Sequence, residues 1–135
     1  MKKISSLFIL VIFLAISIKA QNQTNIENPP VKTTIKWVTN DTIDMGQLKQ
    51  NNPSKAVFKF KNTGNNPLII SSARGSCGCT NVNWTKEPIK PGEEGFVEAT
   101  YNAASLGNFF KTVTVKWNAE PENIVLVLKG NVVAQ

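Results

Sequence analysis

Residues 56–61 read Ala-Val-Phe-Lys-Phe-Lys, and residues 62–67 then read Asn-Thr-Gly-Asn-Asn-Pro. Every second side chain of the first stretch, beginning at Ala56, is a candidate for a buried face, and both lysines fall on the opposite face. A period of two is the spacing of a β-strand with one buried and one solvated face. The second stretch consists of residue types that favour turns. Together the two stretches predict a strand followed by a hairpin turn.

The same alternation recurs through the chain after residue 33. Its apolar positions are Ile35 and Trp37; Val97, Ala99 and Tyr101; Val113, Val115 and Trp117; and Ile124, Leu126, Leu128 and Val132. A second turn is predicted at Pro91–Gly95, and no apolar pattern repeats at helical spacing. About seven short strands in roughly 100 residues are typical of an antiparallel, immunoglobulin-like β-sandwich, with a small barrel as the alternative. Trp37 and Trp117 lie at alternating positions and are predicted to face the core.

The N-terminus has the pattern of a secretory signal peptide. Lys2 and Lys3 precede a 15-residue apolar stretch, Ile4–Ile18, and Ala20 is a plausible last residue before cleavage. Residues 1–20 are therefore predicted to be a signal peptide, 21–32 a polar linker, and 33–135 the sandwich. We expect an exported protein without a membrane anchor after cleavage, located in the periplasm, with release outside the cell as the alternative.

Charge and composition exclude several classes of function. The net charge is +6, and it falls to +3 when Lys2, Lys3 and Lys19 leave with the signal peptide. That is an ordinary solvated surface, and it gives no reason to expect nucleic-acid binding. The chain has no His, which excludes Ser-His-Asp and Cys-His catalysis and a His-ligated zinc site. We predict no enzymatic activity, with thiol redox chemistry as the exception, and no cofactor.

Two cysteines stand close together in Ser-Cys-Gly-Cys-Thr at 76–80. Cys77 and Cys79 are two residues apart, so their Cα atoms are at most about 7 Å apart, and a disulfide needs roughly 4.4 to 6.8 Å. A bridge is compatible with this spacing if the chain bends at Gly78. Three interpretations stay open: a tight structural connection, a redox-active pair, and a Cu(I) site made by the two thiolates.

Several segments of the chain resemble one protein family. They are Phe58–Gly64, Pro67–Ile70, Ser76–Thr80, Pro88–Gly92, Gly107–Val115 and Leu128–Val132. Over about Asp44 to Val133 the chain resembles the bacterial domain-of-unknown-function family 1573. The resemblance implies a small exported protein of the kind found in Bacteroidetes and their relatives, with a domain similar to immunoglobulin-like modules of cilium- and centrosome-associated proteins. It implies no activity, and it gives the cysteines no established role.

We therefore predict an exported binding module that contacts an unknown protein partner through an edge strand or through one particular loop. That loop is Arg74–Thr85, which contains the only arginine of the chain, the cysteine pair and an additional tryptophan. The candidate binding residues are Arg74, Cys77, Gly78, Cys79, Thr80 and Trp84. The alternative is a thiol protein that uses the two cysteines for redox chemistry or for Cu(I) binding.

Overall fold

A computed structural model describes residues 31–135, which form eight β-strands and no helix. The predicted signal peptide and most of the predicted linker lie outside the described residues. The strands are β1 (Ile35–Trp37), β2 (Thr42–Lys49), β3 (Ser54–Asn62), β4 (Ile70–Gly75), β5 (Thr80–Trp84), β6 (Glu94–Tyr101), β7 (Gly107–Trp117) and β8 (Asn123–Val133).

The strands form two sheets of four, in the orders β1-β3-β6-β5 (the first sheet) and β2-β8-β7-β4 (the second sheet). β2 runs parallel to β8, and the other neighbouring strands are antiparallel. The predicted immunoglobulin-like β-sandwich is confirmed. β2 is a strand that alternation alone does not reveal, because its register shifts between Asp44 and Gln47. Such a bulge moves the apolar residues that follow it out of the period of two.

The predicted hairpin at residues 62–67 is wrong. β3 lies in the first sheet and β4 in the second, so the segment between them crosses from one sheet to the other. Within this crossing Leu68 forms an isolated bridge with Ile89, in the connection between β5 and β6. The turn predicted at 91–95, in contrast, leads into β6, which pairs antiparallel with β5 as a hairpin does.

The reason for the crossing is the buried side chain of Asn62, which makes four hydrogen bonds. Its Oδ1 accepts from the Thr33 hydroxyl at 2.9 Å and from the Gly64 N–H at 3.1 Å. Its Nδ2 donates to the carbonyl oxygens of Asn66 at 2.8 Å and Ile89 at 2.9 Å. These bonds hold the chain after β3 against a distant segment, where a local hairpin would have turned it back on β3.

Aromatic side chains from both sheets meet in the core. Trp37 and Phe60 of the first sheet contact Trp117 of the second, with ring centroids 6.0 and 5.3 Å from the Trp117 ring. At the other end Tyr101 stacks on Phe109, 4.4 Å between centroids. Trp117 is buried, and Trp37 is half-buried against the core, so the prediction that both face the core is confirmed.

Candidate functional site

The segment Arg74–Thr85 is not one loop, which corrects the sequence interpretation. β4 ends at Gly75 and β5 begins at Thr80, so residues 76–79 alone form the connection, which we call the cysteine turn. The two strands belong to different sheets, and the cysteine turn crosses between them. The strand β5 escaped prediction because its sequence, Thr-Asn-Val-Asn-Trp, has a single aliphatic residue.

The cysteine turn is closed by a disulfide between Cys77 and Cys79, whose Cα atoms are 5.2 Å apart. The Thr80 N–H donates to the Cys77 carbonyl at 3.3 Å, and the Ser76 N–H donates to the Thr112 carbonyl at 2.8 Å, which extends the pairing of β4 with β7. Both cysteines are half-buried, while Gly78 at the tip is exposed. The turn is therefore anchored at both ends and presents its tip to solvent.

The sulfur atoms are bonded to each other and share one hydrogen-bonding neighbour. Among the described residues, the hydrogen-bonding partner of both sulfurs is the Thr80 hydroxyl, 3.9 Å from each. No group of three or more potential metal ligands occurs within residues 31–135. While the two sulfurs are bonded to each other, neither is a thiolate that could bind Cu(I).

The structure does not bring Arg74 and Trp84 together. Arg74 is exposed on β4 in the second sheet, whereas Trp84 ends β5 in the first. The Trp84 ring is half-buried against the core, and the Lys86 ammonium lies 2.8 Å from its centroid. Thr80 is buried at the start of β5. The predicted binding residues therefore lie on separate surfaces, and Trp84 is not a free aromatic platform.

What the segment does offer is the open edge of β5. The Thr85 N–H donates to the Phe96 carbonyl at 3.1 Å, and the Asn102 N–H donates to the Cys79 carbonyl at 3.0 Å. In an antiparallel ladder, residues whose main-chain N–H and C=O groups bond to the partner strand alternate with residues whose main-chain groups point away from it. Residues 79, 81, 83 and 85 therefore bond to β6, and the main-chain groups of Val82 and Trp84 point away from the sheet. The pattern of side chains alone does not show which residues of β5 bond to β6 and which point away.

The other three edges of the sandwich are interrupted or short. β1 has three residues, and β4 has a register shift between Ile70 and Ser72. β2 has a bulge in which Gly46 adopts a φ of +65° and donates its N–H to the Asp44 carboxylate at 2.9 Å. Bulges and short lengths are the usual protection of edge strands against unwanted pairing. β5 has five residues in unbroken register, with no charge and no proline.

Comparison with known proteins identifies the family and the fold. Residues 35–132 match the family described as "Protein of unknown function (DUF1573)". No curated protein matches the chain. Among solved structures, a protein of unknown function from Porphyromonas gingivalis W83 is 18% identical with a TM-score of 0.64, over 75% of this chain and 47% of that one. The chain thus spans about half the length of that protein.

A second similar structure is the ASH/PapD-like domain of human CEP192, PapD-like domain 7. It is 13% identical with a TM-score of 0.61, over 79% of this chain and 90% of that one. The secreted serine protease VesC from Vibrio cholerae is 11% identical with a TM-score of 0.55, over 74% of this chain and 23% of that one. At these identities the similarities establish the fold alone. Within residues 31–135 the structure has no helix long and apolar enough to cross a membrane.

Proposed function

Because the chain belongs to the family described as "Protein of unknown function (DUF1573)", we propose a function from its own geometry: an exported, non-enzymatic module that binds an extended segment of another protein along β5. The observation that carries this proposal is the direction of the main-chain groups of Val82 and Trp84, away from β6. A row of such groups is a template on which another chain can add a strand.

The side chains of β5 define the chemistry of the partner. Val82 and Trp84 are half-buried against the core, whereas Asn81 and Asn83 are exposed on the outer face. A strand added beside β5 would alternate in the same way, because neighbouring residues of a sheet share a face. We therefore expect a partner segment that alternates apolar and polar residues, with the apolar ones directed toward the interior of the sandwich.

The experiment tests the main-chain groups separately from the side chain. Peptides are selected on the immobilised domain from a displayed random library, and their affinities are measured for Val82→Pro and for the matched control Val82→Ala. Both variants remove the branched valine side chain, but only proline removes the outward N–H. We expect Val82→Ala to keep most of the affinity and Val82→Pro to lose at least about tenfold, the equivalent of one hydrogen bond and the steric block.

Amide hydrogen exchange supplies the second measurement. The amides of Asn81 and Asn83 already donate to β6, so those of Val82 and Trp84 are expected to gain protection when a peptide binds. Equal affinities of the proline and alanine variants, or protection that does not change at Val82 and Trp84, would contradict the proposal. An unfolding transition is recorded to show that Val82→Pro is folded. Asn83→Pro serves as the comparison, and we expect it to be far less stable because it removes a hydrogen bond to β6.

The second candidate function is thiol exchange, and the observation that favours it is the disulfide in the cysteine turn. In such an exchange the Cys77–Cys79 bond would be reduced to two thiols while a dithiol of a partner protein is oxidised to a disulfide. Intact mass and thiol counting under mild dithiol reductant measure this directly. A bridge that resists that reductant would exclude the redox function.

A further inference from the structure

A shallow depression of about 460 Å³ lies on the outer face of the second sheet, where β2, β8 and β7 run side by side. The residues that line it include Asp44, Gln47, Asn108, Phe110, Lys129 and Asn131. None of these residues belongs to the predicted binding segment or to the β5 edge. We call this feature the Phe110 depression.

The register of the sheet explains why these side chains share one face. Phe110 lies opposite Lys129, and Asn108 lies opposite Asn131, across the pairing of β7 with β8. The parallel pairing of β2 brings Gln47 beside Asn131. Paired residues of a sheet project from the same face. The neighbour of Phe110 in sequence, Phe109, is buried in the core, whereas Phe110 is 65% exposed.

The polar groups around Phe110 are not committed to the fold. The side-chain amides of Gln47, Asn108 and Asn131 have no hydrogen-bond partner among residues 31–135, and Lys129 has no carboxylate within 4.0 Å there. A single carboxylate oxygen of Asp44 accepts a hydrogen bond, from Gly46, at the bulge. An aromatic ring with a few polar groups beside it that could fix the orientation of a ligand is a combination found in ligand sites.

We propose that the Phe110 depression binds a short oligosaccharide. A pyranose ring has one apolar C–H face, which can stack on the Phe110 ring, and a rim of hydroxyl groups that both donate and accept hydrogen bonds. Amide side chains match that rim because each also donates and accepts. A polypeptide strand fits less well, because the β2 edge beside the depression is interrupted by its bulge.

The depression is independent of the β5 edge. β5 is the outermost strand of the first sheet, and the depression lies on β2, β8 and β7 of the second. A variant that blocks strand addition at β5 should therefore leave saccharide binding intact. The two proposals can fail separately.

The test uses the folded domain and a panel of probes: short β-1,4-, β-1,3- and α-1,4-glucans, a xylan fragment and a polygalacturonate fragment. Binding is measured by calorimetry and by amide chemical shifts for the wild type, Phe110→Ala, Phe110→Trp and the control Val125→Ala. Val125 is 51% exposed on β8 and does not line the depression. We expect at least one probe to bind, Phe110→Ala to lower its affinity by about tenfold or more, and Phe110→Trp to preserve it.

Several results would overturn the proposal. One is the absence of chemical-shift changes at Phe110 and Asn131 with every probe at about 10 mM, a concentration that detects very weak sites. Another is an equal loss of affinity in Phe110→Ala and Val125→Ala. Peptides selected on β5 that instead shift Phe110 would assign the depression to a polypeptide. Saccharide binding that survives in Val82→Pro would support it as a separate site.

Discussion

Asn62 shows how one polar side chain can direct the path of the chain. It is fully buried, yet both atoms of its amide are saturated, by two donors and two acceptors. A buried amide costs free energy unless all its hydrogen bonds are made, so this network favours a single arrangement of the crossing. Asn118 acts similarly on the second sheet, accepting from the Ile69 N–H at 2.7 Å and donating to the Pro67 carbonyl at 2.9 Å.

The first prediction concerns this network. Asn62→Ala should lower the free energy of unfolding by about 3 kcal/mol, because it leaves the buried Thr33 hydroxyl without its acceptor and removes one of the two donors to the Ile89 carbonyl. Urea denaturation measures the change. Asn65→Ala, three residues away and exposed, is the matched control and should be nearly neutral. A similar small effect at both positions would show that the network does not contribute to stability.

A second prediction at this scale uses two glycines. A Cβ added at Gly95 would meet Cε2 of the Phe60 ring at 2.9 Å and would collide with the Ile89 side chain, whereas one added at Gly78 would meet nothing within 4 Å. Gly95→Ala should therefore destabilise the domain by about 1 to 3 kcal/mol through overpacking. Gly78→Ala should leave the thermal midpoint almost unchanged. Equal thermal midpoints for the two variants would contradict this prediction.

At the scale of elements, the cysteine turn connects the two sheets along the side of the sandwich where β4 and β5 are the edge strands. Its disulfide closes a ring of three residues, and the chain-entropy benefit of so short a ring is small. The turn is also held by main-chain hydrogen bonds, from Ser76 to Thr112 and from Asn102 to Cys79. We therefore expect the fold not to depend on the bridge.

From this follows a third prediction. Cys77→Ser/Cys79→Ser should lower the free energy of unfolding by no more than about 1.6 kcal/mol, the chain-entropy value for this ring. Equilibrium unfolding of the double variant, beside the oxidised and the reduced wild type, measures it. Failure of the double variant to fold would mean that the bridge is required to form the crossing.

At the scale of the whole molecule, the described domain has few groups that could make its stability depend on pH near neutrality. The chain has no His, and both cysteines are bonded. The ionic contact that ties the N-terminal segment to the connection between β7 and β8 is made by Lys32 with Glu120 and Glu122, the latter at 3.2 Å. Hydrogen bonds to these two carboxylates raise the pKa of Lys32 above its ordinary value of 10.5.

The fourth prediction follows from these groups. The free energy of unfolding should be flat between about pH 6 and 8, since the chain has no His and both cysteines are bonded. The contribution of Lys32 should be complete below pH 10.5, since a raised pKa favours the folded state until the ammonium is lost, and should fade at higher pH. Denaturation of the wild type and Lys32→Met across pH tests both statements. A titration step near pH 6.5, or a difference between the two proteins that does not shrink at high pH, would contradict them.

The sequence predicts the parts of this molecule in which one side of a strand is buried and its spacing is regular. Phe58 and Phe60 are both fully buried, as their alternation requires. Prediction fails at β2, where the bulge at Gly46 breaks the period, and at residues 62–67, where turn chemistry is the same for a hairpin and for a crossing. Long-range hydrogen bonds of Asn62 decide that case, and no local pattern encodes them.

The candidate sites were less predictable than the fold. The pair Phe109-Phe110 guarantees that one ring faces out of a strand, but only the register with Gly130 and Lys129 decides which one. Whether the main-chain groups of Val82 can pair with an added strand depends likewise on which residues of β5 bond to β6. Both sites depend on how neighbouring strands pair. The pattern of residues in the sequence reports only the spacing along a single strand.

The parallel pairing of β2 with β8 has a mechanical consequence. These strands lie near the two ends of the described segment and are joined from Thr42 and Val127 to Lys49 and Val133. A force that pulls those ends apart acts along both strands in opposite directions, so it loads their hydrogen bonds together in shear and does not peel them one by one. Under tension the pairing of β2 with β8 should therefore break as one unit, and the rate of that event would set the lifetime of the pairing.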